Sequence, residues 1–314
     1  MARTPGRSCP RHYRYSPAVF ARAADLEAQS LYIVGGLYGN PFALEAVLAM
    51  ARRESATLVF NGDFNWFNVD RAEFEGVNET VLEHVALRGN VETEIAGEDS
   101  GAGCGCAYPE WVGDAEVERS NEILTRLRGT ASAYPELRER LAVLPMHLVA
   151  EVGGLRIGIA HGDAESLAGW QFSQEALRER SERAGVLLAG SCVDVFSCTH
   201  TCLPVMQDFA TPRGKALIVN NGAAGMPNFR DTHFGLATRI ASTPSAQALY
   251  GVRLGAMVVE AVPVRYDYEA WLAEFDRVWP AGSPAALSYR KRIASGPGYE
   301  LEQAVRTGAF SRAA

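Results

Sequence analysis

Short apolar runs that stop at glycine, next to a side chain able to bind a metal, recur along this chain and limit its fold more than any other feature. Leu31–Val34 ends in Gly35-Gly36, Thr57–Phe60 in Asn61-Gly62-Asp63, and Val81–Leu87 runs to Arg88-Gly89-Asn90. Further on, Leu155–Ala160 is followed by His161-Gly162, and the run Val193–Ser197 leads to His200. Such runs read as buried strands, and the glycines permit tight turns at their ends. Between the first two lies Phe42–Arg52, where Leu44, Val47, Leu48 and Ala51 follow helical spacing. Alternating strands and helices with polar strand ends predict an α/β architecture.

The rest of the chain extends this pattern. The Gly- and Cys-rich stretch Glu98–Tyr108 reads as a loop. Asp114–Arg128 reads as an amphipathic helix burying Val117, Ile123, Leu124 and Leu127, and Pro135–Leu144 as another that stops at Pro145. His147–Val152 and Leu155–Ala160, joined by Gly153-Gly154, form a hairpin pattern. A helix is expected over Gln174–Ala184 and strands over Ala216–Asn220, Leu236–Ile240, Gly251–Leu254 and Met257–Val262. The aromatic segment Tyr268–Trp279 reads as a helix, followed by a less patterned end. With no internal repeat or low-complexity linker, a single domain is expected. Its parts are an N-terminal extension (1–30), a main domain (31–267) with a cap-like insertion (about 93–135), and a helical tail (268–314).

A chain of 314 residues can bury a substantial core. A net charge of -7 argues against general nucleic-acid binding, which needs a basic surface, yet leaves room for a local cationic pocket. No apolar run of about 18 residues occurs and the Arg-bearing start lacks a secretory pattern, so no membrane span is expected and the cytoplasm is the default location. The six cysteines then read as reduced thiols. Cys104-Gly-Cys106 does not have a familiar zinc spacing; it reads as ordinary thiols or as a pair near the active site.

Asp63, Asn90, His161 and His200 bring a carboxylate, an amide oxygen and two imidazoles to strand-end loops that converge in such folds. That donor set suits manganese, iron or zinc. Taken singly, a Gly-Asp is commonly a turn and a buried His a hydrogen-bonded core residue; their order along the chain is more specific.

On these segments the chain resembles the calcineurin-like metallophosphoesterases of the small bacterial and archaeal phosphodiesterase type. The matching stretches are Gly36-Leu-Tyr38-Gly-Asn40, Gly62-Asp63, Gly89-Asn90-Val91-Glu92, His161-Gly162, Thr199-His200-Thr201-Cys202 and Asn220-Asn-Gly-Ala-Ala-Gly-Met-Pro227, spanning about 31–267. The resemblance implies a four-layer α/β/β/α sandwich of two mixed sheets flanked by helices. It also implies a two-metal site in which Asp63 bridges. Placing Pro204 and Asp194 on their family positions sets His200 on the first His of the final pair and Cys202 on the second. Gly36 and Tyr38 then stand where the family has its first Asp and His. Every loss falls on one metal, and Asp63, Asn90, His161 and His200 remain for the other. One divalent ion is the expected cofactor, with Asp63, His161 and His200 as catalytic residues.

Asn40, Tyr38, Cys202 and Arg88 are expected to touch substrate, with backbone N–H groups of 222–225 as further anion donors. Trp66 and Phe67 are candidate pocket walls. Tyr38 and Cys202 could instead hold a ferric or zinc ion, although Tyr38 more simply fills vacated space. Val91 replaces the His that protonates the leaving group in many relatives. The leading expectation is a metal-dependent hydrolase of a small phosphomonoester or phosphodiester, taking a small anionic substrate and compatible with homo-oligomerisation. A single-metal enzyme with non-phosphatase chemistry and a non-catalytic binding protein are the alternatives.

Overall fold

In the computed structural model, which describes residues 4–98, 101–179, 181–306 and 310–311, the chain enters through β1 (Leu26–Ala28) and β2 (Leu31–Val34). It continues through α1 (Pro41–Glu54), β3 (Thr57–Asn61), α2 (Arg71–Val81), β4 (Val85–Leu87) and α3 (Asn90–Ala96). Helices α4 (Asp114–Ala131) and α5 (Pro135–Ala142) lead to β5 (His147–Val152) and β6 (Leu155–Ala160). Next come α6 (Gln174–Glu179), α7 (Ser181–Ser191), β7 (Val195–Cys198), β8 (Val205–Thr211) and β9 (Gly214–Asn220). β10 (Gly235–Ala241), β11 (Tyr250–Leu254) and β12 (Met257–Val264) precede α8 (Tyr268–Val278) and α9 (Pro284–Ser295). The end carries α10 (Leu301–Ala304), β13 (Val305–Arg306) and β14 (Phe310–Ser311).

The strands form two mixed sheets, ordered β14-β11-β12-β10-β2-β3-β4 and β1-β5-β6-β7-β9-β8-β13. Period-two alternation decides what each face buries. Leu31 and Ile33 of β2 point between the sheets, where they join Val59, Leu148, Ile157, Ile159, Leu217 and Val259. Tyr32 and Val34 point outward to Val47, Phe74, Leu124 and Trp271 of the helices on that side. Across the molecule, Phe196 and Ile218 pack on Leu177, Leu187 and Leu188 of α6 and α7. The result is the four-layer sandwich of two mixed sheets flanked by helices.

Within it, β2-β3-β4 and β6-β7-β9 run parallel, so their C-terminal ends open toward one edge of the sandwich. Asn61 joins the sheets there: its Nδ2 donates to the carbonyls of Ala160 (3.0 Å) and Ser197 (3.4 Å). Asn221 does the same between Gly35 and Leu236.

Several sequence expectations shift. The expected helix over Gln174–Ala184, which includes one residue outside those described, is divided between α6 and α7. The Glu98–Tyr108 loop likewise includes two residues outside them. Strand β8 was not foreseen; it pairs antiparallel with β9 through seven residues. The first thirty residues contribute β1, which pairs with β5, and Phe20 enters the outer core. The less patterned end contains α9, started by Ser283, whose hydroxyl accepts from Ala286 N–H, with Pro284 at its first position.

Candidate metal centre

The local backbone explains how the candidate ligands meet. Gly62 turns with φ +75°, and a Cβ there would lie 2.5 Å from the nitrogen of Gly89 and 2.7 Å from His161 Nδ1. The β3 and β4 loops can therefore touch only because both carry glycine. Asp63 follows with φ 52°, an uncommon conformation for a residue with a side chain. Glu92 holds it there. The Glu92 carboxylate is buried and accepts from the backbone N–H groups of Asp63 (2.7 Å), Phe64 (3.1 Å) and Gly89 (2.9 Å).

Asp63, His161 and His200 place one ligand atom each within 4.8 Å of one another. His161 Nε2 lies 3.2 Å from Asp63 Oδ2 and 3.2 Å from His200 Nδ1. The other ring nitrogens fix the tautomers. His161 Nδ1 donates to the Asn61 carbonyl at 2.9 Å, and His200 Nε2 donates to the Cys106 carbonyl at 3.0 Å. A carbonyl can only accept, so both inward-facing nitrogens are left able to bind a cation. Burial and the neighbouring His161 charge lower the His200 pKa to about 4, keeping that ring neutral. Burial also disfavours charge on His161, but the Asp63 carboxylate outweighs it and the pKa is raised. In the protein alone a proton on His161 can therefore occupy the position a metal ion would take.

Asn90 supplies the test of fit. Its Nδ2 donates to the Cys104 carbonyl at 2.9 Å, which sets the amide orientation, while its Oδ1 is buried without a partner. Among the described residues, Asn90 Oδ1 is the one unpaired buried side-chain atom whose residue lines the cavity shared by Asp63 and His200. An oxygen, a carboxylate and two imidazole lone pairs around one point fit a divalent ion.

The cavity, about 360 Å³, is lined by Trp66, Tyr108, Trp111, Trp170 and Tyr289, with Tyr38, Cys202 and Arg292 beside the ligands. Tyr38 (φ 56°) and Cys202 (φ 62°) both adopt left-handed backbone, and the Tyr38 hydroxyl lies 2.9 Å from Cys202 Sγ. Burial, with Cys202 and Asp63 adding to it, raises the Tyr38 pKa well above its ordinary value. Burial raises Cys202 as well. In the protein alone the two side chains engage each other rather than an ion. The Tyr38 ring lies over Gly36: a Cβ on that glycine would meet Cε2, Cζ and Oη at 3.0 Å. Tyr38 fills the space next to the position where the resemblance has its first Asp.

Two expected substrate contacts lie elsewhere. Asn40 is the N-cap of α1: its Oδ1 accepts from Ala43 N–H and its Nδ2 donates to the Gly225 carbonyl. Both polar ends are occupied inside the fold. Arg88 donates through Nη1 to the Ala142 carbonyl at the end of α5, and it does not line the cavity. The N–H groups of 222–225 are also taken, by Asn220, Asn228, Gly35 and Gly36. Phe67 packs in the core against Phe275 and Tyr289, whereas Trp66 does line the cavity.

The structure adds residues that strand-end reasoning missed. Trp170 donates its indole N–H to the same Cys106 carbonyl that holds His200. Cys106 thus acts through its backbone, and the N-terminal segment secures that loop. Arg7 donates to the carbonyls of Pro109 and Val112, and the Tyr13 hydroxyl donates to Glu94. Tyr289 and Arg292 arrive from α9, whose Ser-Pro start was a readable signal, though nothing in the sequence told which face met the cavity.

No protein-family model matches the chain, and no curated protein matches it. Among solved structures, the fold is similar to a metallophosphoesterase from Sphaerobacter thermophilus: 19% identity over 85% of this chain and 100% of that one, TM-score 0.54. It is also similar to a hypothetical protein from Pyrococcus horikoshii OT3, with 17% identity over 87% and 99%, TM-score 0.56. The chain has the metallophosphoesterase fold.

Proposed function

We propose that the protein is a metal-dependent hydrolase of a small phosphomonoester or phosphodiester, working with one divalent ion of manganese, iron or zinc. Asp63, Asn90, His161 and His200 would hold it. The observation that carries this reading is the meeting of Asp63 Oδ2 with the inward lone pairs of His161 and His200 beside the unpaired Asn90 Oδ1. The likeness to a protein described as a metallophosphoesterase supports the reaction class. When bound, such an ion supplies Lewis acidity toward phosphate oxygen and makes a water molecule more acidic.

This chain's own residues supply orientation and exclusion. The Asn61 and Cys106 carbonyls lock the two imidazoles. Glu92 fixes the turn that presents Asp63. The aromatic walls of the cavity limit the solvent that reaches the reacting group. Val91 offers no proton to a leaving group, so the rate falls below that of an enzyme with a general acid by about 10²–10⁴-fold.

The test is metal analysis of purified protein together with hydrolysis of aryl phosphate mono- and diesters. About one ion per chain, and hydrolysis that disappears in Asp63→Ala, is expected. One ion with neither ester hydrolysed would favour other single-metal chemistry, and no ion would favour a binding protein.

A further inference from the structure

Arg292 is held in a way that packing alone does not explain. Its Nε donates to the Pro227 carbonyl at 3.1 Å, and its Nη2 donates to the Cys202 carbonyl at 2.7 Å and faces Asn228 Oδ1 at 3.5 Å. All three acceptors are neutral oxygens. Among the described residues no carboxylate forms an ion pair with it, and Nη1 has no protein partner. The side chain is half-buried and lines the cavity that contains Asp63 and His200. A guanidinium held on one edge by neutral oxygens keeps its full charge and leaves its free edge for an anion in the cavity.

Arg292 lines the cavity beside Tyr38 and Cys202. Arg292 grips the carbonyl of Cys202, and its positive charge acts on both Cys202 and Tyr38. Those two side chains stand where the resemblance has ligands to a second metal. The Tyr38 hydroxyl and Cys202 Sγ lie 2.9 Å apart and engage each other, and neither residue brings a carboxylate or an imidazole to that corner. What it does have is a guanidinium anchored on one edge, with the other edge unpaired.

We propose that Arg292 takes over the charge role of the lost second ion, binding a non-bridging oxygen of the substrate's phosphoryl group through its unpaired Nη1 edge. The substrate class is then a phosphoryl anion bound between a divalent ion and a planar, permanently charged fork. This rests on the hydrolase reading for the identity of the anion. The position of Arg292 on α9, outside the strand-end pattern, is why the sequence conceals it.

The experiment is calorimetric titration of inorganic phosphate into wild type, R292K, R292Q and R292M, each metal-loaded and metal-free. Ion content and thermal midpoint are measured alongside. R292Q keeps a donor for the Cys202 carbonyl but removes the charge; R292K keeps the charge but not the fork. The expected result is phosphate affinity reduced roughly 10–100-fold in R292Q and R292M, with R292K between them and wild type and ion content unchanged. A purely structural role would lower the thermal midpoint without separating R292Q from R292K in phosphate binding. Phosphate affinity of folded R292Q within about two-fold of wild type overturns the proposal, as does a wild type that binds no phosphate. If wild type holds no ion, the hydrolase reading fails by itself, and Arg292 is judged by the same comparison in the metal-free proteins.

Discussion

Replacing Glu92 by Gln isolates what joins the Asp63 loop to the Asn90 loop. Glu92 Oε2 accepts from Asp63 N–H and Gly89 N–H, one from each loop, while Oε1 accepts from Phe64 N–H and from Asn65 Nδ2 at 3.3 Å. Gln keeps one acceptor oxygen, so two of these four donors face an amide NH₂ instead. Each buried donor left unpaired costs about 1–3 kcal/mol. Loss of a buried charge opposed by Asp63 offsets part of this, leaving a net destabilisation of about 2–4 kcal/mol in metal-free protein. The pH dependence has a definite sign. Burial and the Asp63 carboxylate push the Glu92 carboxyl up to about 7, above its ordinary value of 4.5. A raised folded pKa adds stability as pH falls through that window, and Gln cannot titrate. The gap between wild type and Glu92→Gln should therefore widen from pH 8 to pH 5. Urea unfolding at both pH values measures it, and metal titration at pH 8 should show affinity reduced about 10–100-fold, as for loss of an outer-shell partner. A stability change under about 0.5 kcal/mol with unchanged metal affinity would mean that each loop holds its own shape.

The metal assignment separates residues that lie close together: Asp63→Ala and His200→Ala should each abolish ion binding, while Cys202→Ala keeps most of it. Elemental analysis of the three purified variants decides, and equal loss in Cys202→Ala would make the thiol a ligand. Asn40→Ala should lower unfolding free energy by about 0.5–2 kcal/mol through the lost cap of α1 and leave ion content unchanged. Loss of the ion in a folded Asn40→Ala protein would return that residue to the site.

Legibility followed the physical source of each signal. The β5–β6 hairpin could be read to its end residues because its strands flank two glycines, both with positive φ. The four candidate ligands could be read because a polar side chain after a buried strand and glycine has few places to go. Strand β8 could not, because Gln207 and Asp208 interrupt its apolar run and its pairing with β9 is tertiary. Asn40 and Arg88 show a different limit. Their chemistry suits an anion, but direction decides, and a cap on α1 and the open end of α5 claimed them. Conversely, the Cys106 carbonyl orients a ligand without any side-chain signature. Contacts made by backbone, and by a late helix folding over the cavity, leave little trace in residue type.

Placing at 36, 38 and 202 the ligands that the resemblance has there tests whether a second ion limits the chemistry. Gly36→Asp alone should fail, because the new Cβ meets the Tyr38 ring at 3.0 Å and must adopt φ near +64°. Tyr38→His removes most of that obstruction, and Cys202→His completes the set. The Arg292 guanidinium, anchored on the Cys202 carbonyl, would repel an incoming ion, so the triple variant should bind a second ion weakly and the further change Arg292→Gln should strengthen it. Where a second ion binds, two-metal clamping of attacking and leaving oxygens should raise hydrolysis of a simple aryl phosphodiester by on the order of 10²-fold. Ion stoichiometry and steady-state rates on the same preparations give the answer. A second ion bound with no rise in rate would show that the cavity does not present a phosphoester to the metals, and the hydrolase reading would give way to non-hydrolytic single-metal chemistry or binding.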